Sequence, residues 1–200
     1  MRSLNRKSTP RVVNGTVRKK NNWDPSPSYY CTPQPLPVVD RKRPGEGYRH
    51  VLYQRDIHQF IALLPDWDEL AIGLNAVVLA PGEYDTDGYH VPGAVHICAW
   101  EREIVRECSR QYYEDHRDLF GRLGVPCTPI KDGWRCEFTE GTVRAYQLLH
   151  ILLHELGHHH DRITTRSKVE SCRGEPYAEE YAHRYEARIW DDYWKHYSLD

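Results

Sequence analysis

The stretch that most constrains this chain is Leu152-Leu153-His154-Glu155-Leu156-Gly157-His158, set in an apolar, helix-favouring segment. Apolar side chains recur at Val143, Tyr146, Leu149, Leu152, Leu153 and Leu156. That spacing predicts a helix from Thr139 or Thr142 to about Arg162, with a wide buried stripe. On such a helix His154 and His158 share one face, about 6 Å apart, close enough to grip one zinc ion. Glu155 then stands where it can take a proton from an attacking water. Any fold for this chain must bury the helix and bring a third ligand to it.

A catalytic zinc takes three protein ligands and keeps one position open. A second helix, predicted from about Pro176 to Tyr193, carries Tyr177-Ala178-Glu179-Glu180-Tyr181-Ala182-His183. Glu179 and Glu180 point about 100° apart, so only one can reach the ion, and His183 is a rival to both.

His154-Glu155-Leu156-Gly157-His158 together with Ala178-Glu179-x-x-Ala182 resembles the gluzincin branch of zinc peptidases. That group includes thermolysin, anthrax lethal factor and the ImmA/IrrE-type peptidases, and the likeness covers roughly residues 140–190. The resemblance implies a zincin-like α+β domain: a small, mostly antiparallel sheet, an active-site helix and a C-terminal ligand-bearing helix. It implies one Zn2+ held by His154, His158 and Glu179. It also implies hydrolysis of peptide bonds in a restricted protein or peptide substrate, with Glu155 as general base. These families often carry Asp or Asn four residues after the ligand, where it orients a ligand histidine; this chain has His183 there. The strand before the active helix, here 94–100, is expected to offer its edge to an extended peptide. Tyr177, His183 and His90 are candidate oxyanion donors. Asp161, seven residues after His154, is a candidate to accept from His158 or to pair with Arg162.

The other histidines have plainer readings. His150 also lies four residues before His154, but no Glu follows it, so it reads as a polar rung in the core. His159 and His160 read as flanking, solvated residues. The six cysteines, at 31, 98, 108, 127, 136 and 172, form no close pairs and read as reduced, space-filling thiols.

Elsewhere the pattern predicts a helix over 55–64 and a helical turn within 66–74. Residues 76–80 and 94–100 read as strands and antiparallel neighbours, with turn chemistry at 88–93 between them. A helix is predicted over 101–123 and a hairpin over 130–138, marked by Asp132-Gly133.

Charge divides the chain in two. Residues 1–45 hold ten Lys/Arg against Asp24 and Asp40, and seven of the 13 prolines. They read as a basic, disordered arm ahead of a catalytic domain over 46–200, which carries a net charge of −10. No apolar run reaches the ~20 residues of a membrane span, and no apolar stretch follows the basic start as in a signal peptide, so the expected setting is cytoplasmic. Two rival functions follow from the same features. One is a non-catalytic zinc-binding interaction module, against which the intact Glu155 argues. The other is a nucleic-acid-associated regulatory factor using the arm, against which the thin aromatic interleaving argues.

Overall fold

The computed structural model describes residues 11–13, 16–18, 32–165 and 172–197. It is a mixed α+β structure with small sheets. Strands β1 (Arg11–Val13) and β2 (Thr16–Arg18) pair with each other. β3 (Val38–Arg41) and β4 (Tyr48–Arg49) lead into helices α1 (Gln54–Ile61) and α2 (Trp67–Leu70). Then come β5 (Ala76–Ala80), β6 (Gly88–Val91), β7 (Ala94–Cys98), β8 (Trp100–Glu101), β9 (Val105–Cys108), helix α3 (Arg110–Leu123), β10 (Cys127–Ile130) and β11 (Gly133–Glu137). The last described elements are α4 (Glu140–Tyr146), a π-helical turn (Gln147–Leu152), α5 (Leu153–Thr164) and α6 (Gly174–His196).

The central sheet runs β3-β5-β7-β6. β5 and β7 pair in parallel, which corrects the antiparallel pairing expected of them. Every residue of both strands is buried. A strand covered on both faces carries no alternation, so its apolar run looks the same in either direction. The reversal lies one strand further on: Gly88–Val91, expected as a turn, forms β6 and pairs antiparallel with β7. β3 joins the sheet parallel to β5, so the folded body begins before the boundary at residue 45. Most of the basic arm lies outside the described residues.

The helix expected over 101–123 starts only at Arg110, where the Ser109 hydroxyl accepts the Tyr112 N–H. The residues before it supply β8 and β9 instead, with a left-handed residue, Ile104 (φ 56°), between them. The hairpin of β10 and β11 forms as expected, and β11 also pairs with β9.

The long helix of the motif runs without a break from α4 through the π-helical turn into α5. Thr139 caps it, its side chain accepting the Thr142 N–H while the Thr142 hydroxyl accepts the Thr139 N–H. Its apolar stripe meets Trp100, Phe120 and Phe138 in one core cluster. α6 lies against α5 with backbone nearly touching backbone: a Cβ built on Gly157 would stand 2.8 Å from the Ala178 Cα. No described helix is long and apolar enough to cross a membrane.

Candidate metal centre

Helices α5 and α6 supply the site between them. His154 and His158 face one another one turn apart on α5, their Nε2 atoms 3.1 Å apart. From the first turn of α6, the Glu175 carboxylate reaches both: Oε2 lies 3.0 Å from His154 Nε2 and Oε1 lies 3.4 Å from His158 Nε2. These three residues form a group able to hold a metal ion. Donors bound tetrahedrally at the ~2.0–2.1 Å of zinc–nitrogen and zinc–oxygen bonds stand roughly 3.3 Å from one another. The observed spacings fall around that value, and two imidazoles with a carboxylate suit zinc.

Glu179, one turn further along α6, meets the other side of His154. Its Oε2 lies 3.1 Å from His154 Nδ1 and its Oε1 lies 3.1 Å from His183 Nε2. Burial pulls the His154 pKa down, but the Glu179 hydrogen bond and the charges of Glu155 and Glu175 outweigh it and raise it overall. Burial pushes Glu179 up, and the same hydrogen bond with the surrounding histidines overcomes that and holds it at about 2. Glu180, the other carboxylate of the pair, is exposed.

Glu155 is buried, and its Oε2 has no hydrogen-bond partner among the described residues. Burial pushes its pKa up to about 8, with Glu175 and Asp87 adding to the effect and His154 opposing it. A carboxyl poised near neutrality can both take and return a proton. It lies at the meeting of two openings. One, of about 620 Å³, includes Asp87, Tyr146, His150 and Glu179 in its lining. The other, of about 350 Å³, is lined by Gly88, Tyr89, His90 and His158, and both share His154, Glu155 and Glu175. β6 is the edge of the central sheet on this side, while β7 is paired on both sides. The strand free to accept an extended chain is therefore 88–91, which corrects the expectation for 94–100. Gly88 lets β6 come this close: a Cβ there would stand 2.7 Å from Ile151 Cγ2 and 2.9 Å from Glu155 Oε1.

The other expected site residues are placed as follows. Asp161 is fully buried and its charge acts on His158, but its hydrogen bonds go elsewhere: it accepts the N–H groups of Arg173 (2.7 Å) and Gly174 (3.3 Å) and the Arg173 Nε–H (2.9 Å). Tyr177 is turned away from the site, its hydroxyl 2.6 Å from His160 Nδ1. His160 is thus held rather than solvated. His159 is a core residue and not a flanking one: it is fully buried, and its ring donates to the Ile72 carbonyl at 2.9 Å. His183 stands against Glu179. His90 lines the smaller opening, with Nε2 buried and without a partner among the described residues. His150 is a buried rung, as expected, with Nε2 3.1 Å from His116 Nε2.

Sequence reasoning left Glu175 in an acidic run of which only Glu179 has a motif behind it, and passed over His116. The signal for Glu175 was its spacing: four residues before Glu179, it shares that residue's helix face. No disulfide joins the five described cysteines. No family model, curated protein or solved structure matches this chain.

Proposed function

We propose that this protein is a zinc-dependent hydrolase of peptide bonds with a zincin-like fold, and that its ligands are His154, His158 and Glu175. The observation that carries the reading is the convergence of those three donor groups, 3.0–3.4 Å apart, beside a buried carboxylate with a partnerless oxygen. Structural zinc has no use for that carboxylate, which counts against a non-catalytic module. Glu179 takes the orienting role, accepting the His154 Nδ1–H so that Nε2 faces the ion.

Zinc in such a site supplies Lewis acidity, which makes a water nucleophilic near neutral pH and polarises a carbonyl. Glu155 accepts the proton of the attacking water and returns it to the departing amine. β6 offers its free edge to an extended peptide, whose flanking residues run into the two openings on either side of Glu155. His90, on the wall of the smaller opening, is the best-placed histidine to donate to a developing oxyanion.

The test pairs metal analysis with a peptide-library digest of wild type, Glu155→Gln and Glu175→Gln. Glu155→Gln should keep its zinc and lose cleavage, and Glu175→Gln should lose both. Cleavage by the Glu155→Gln protein refutes the mechanism, and full zinc occupancy in Glu175→Gln refutes the ligand set.

A further inference from the structure

Three of the six cysteines meet on one face of the sheet β10-β11-β9. On β11, Trp134 and Cys136 are two residues apart and so point the same way. Cys127 of β10 stands directly opposite Cys136, and Cys108 of β9 stands directly opposite Trp134. Opposed residues on paired strands share a face, which brings the three thiols together. Helix α3 covers that face, with the Tyr113 ring stacked on Trp134 at 3.9 Å. Cys136 is 1% exposed, whereas Cys127 and Cys108 are half-buried.

Register decides which two can bond. The hairpin turns through Lys131 and Asp132 and is closed by Ile130 opposite Gly133. A hydrogen-bonded pair closes a two-residue turn, and bonded and non-bonded pairs alternate from there. Pro129, which has no N–H to donate, falls in the non-bonded pair with Trp134. Cys127 and Cys136 fall in the next non-bonded pair. The ladder resumes just beyond them, where the Glu137 N–H donates to the Pro126 carbonyl at 2.9 Å. Residues in a non-bonded pair have Cα atoms about 4.5 Å apart, within the roughly 4.4–6.8 Å that a disulfide spans. Cys108 is diagonal to Cys136, and diagonal neighbours stand ~7–8 Å apart, beyond that span. The Cys136 thiol acts on those of both Cys127 and Cys108, and burial raises the pKa of all three. Their exchange chemistry is therefore slow at neutral pH.

We propose that Cys127 and Cys136 are a site of reversible oxidation, converted to a cross-strand disulfide by a low-molecular-weight disulfide such as oxidised glutathione. The half-buried Cys127, as thiolate, attacks one sulfur of the oxidant and releases one glutathione from the resulting mixed disulfide. The Cys136 thiolate then attacks the Cys127 sulfur and releases the second glutathione. Two protein thiols are oxidised, one disulfide is reduced, and the two thiol protons pass to the departing glutathiones. The bridge pins the sheet beneath α3, whose His116 lines the larger opening. This goes beyond the proposed hydrolysis and depends on none of its residues.

The reduced full chain is equilibrated in glutathione buffers of graded composition at mildly alkaline pH, quenched in acid, alkylated and mapped by mass spectrometry after proteolysis. The expected product is a peptide pair joined through Cys127 and Cys136, with Cys108 still alkylated. Cys127→Ala, a change at a half-buried position checked by circular dichroism, should leave Cys136 reduced. The folded chain should need roughly tenfold less oxidised glutathione for half-conversion than the chain in urea, because the register holds the two sulfurs together. A bridge from Cys108 to Cys136, or mixed disulfides alone at Cys127, overturns the pairing. Equal oxidant demand in urea overturns the role of the register. A Cys136 thiol that stays reduced in every buffer overturns the site.

Discussion

The fully buried carboxylate of Asp161 accepts the backbone N–H of Arg173 at 2.7 Å, fastening the end of α5 to the start of α6. Further bonds from Arg173 Nε and the Gly174 N–H complete the clasp. Glu175 follows immediately, so the clasp positions the carboxylate that reaches His154 and His158. Asp161→Ala leaves these donors without their acceptor in a partly buried place. We expect a stability loss of about 2–4 kcal/mol, persisting in chelator, and weaker zinc binding. Urea titrations with and without chelator measure both. Unchanged zinc affinity would mean that Glu175 is held by other means.

Glu175 and Glu179 should separate cleanly under mutation. Glu175 lies against both Nε2 atoms, whereas Glu179 accepts from the back of His154. Loss of a ligand should abolish tight binding at this site, and loss of an orienting partner typically weakens it about 10–100-fold. Competition against a chromophoric chelator should rank Glu179→Ala between wild type and Glu175→Ala. The reverse ranking restores Glu179 as the ligand.

Gly157 sits inside the motif, and the close approach of α6 depends on it. A methyl group there meets the Ala178 Cα at 2.8 Å and the Ala178 carbonyl oxygen at 3.1 Å, both backbone atoms that cannot swing aside. Gly157→Ala should cost about 1–3 kcal/mol as an overpacked contact, and should lower zinc affinity by moving Glu175. Gly121 is the control, an exposed glycine in α3 with nothing within 4 Å of an added Cβ. Gly121→Ala should stabilise by about 0.5–1 kcal/mol. Equal effects in thermal melts would show that helix propensity, not the approach of α6, governs both positions.

These residues also show where the sequence stopped speaking. The i, i+4 histidines and the glutamate between them were legible because one helix holds all three. Which carboxylate of α6 faces the histidine pair was not, since it depends on where α6 begins beside α5. That register is set by the Gly157–Ala178 approach and the Asp161–Arg173 clasp, both tertiary. The Ala-Glu-x-x-Ala pattern pointed to Glu179, one turn along from Glu175, and each of the two carboxylates lies in a group of three able to hold a metal ion. The direction of β5 and β7 was hidden for a related reason, because strands buried on both faces keep no polar alternation. Gly88 read as a turn residue, whereas it serves a close packing contact that only the folded chain reveals.

Acid should destabilise the metal-free protein. Burial lowers the pKa of His50, His90, His96, His150, His158, His159 and His160, with His90 and His150 brought to about 3. Unfolded histidines titrate near ~6.5, so below that pH the unfolded chain binds more protons than the folded one, and stability falls as pH falls. His154, Glu155 and Glu186 are raised and work in the opposite sense, Glu155 to about 8, its contribution being lost as pH rises toward that value. Seven groups against three give a net fall. Urea midpoints in chelator should drop steadily from pH 6.5 to pH 5, and a midpoint that rises over this range contradicts the balance.

Gly88 offers the sharpest separation of substrate binding from metal binding. It lies on β6, and an added Cβ would stand 2.7 Å from Ile151 Cγ2, 2.9 Å from Glu155 Oε1 and 2.9 Å from the His96 carbonyl oxygen. The last is a backbone atom of β7, so relief must come from β6 shifting outward or Glu155 turning. Either movement spoils the alignment of a docked peptide with its general base, and small misplacements in such geometry can cost about 100-fold in rate. Neither disturbs His154, His158 or Glu175 directly. Gly88→Ala should therefore keep its zinc and lose at least about tenfold in kcat/KM on a cleaved peptide. Full activity in that variant would show that the substrate does not run along β6, and loss of zinc would show that β6 supports the metal site itself.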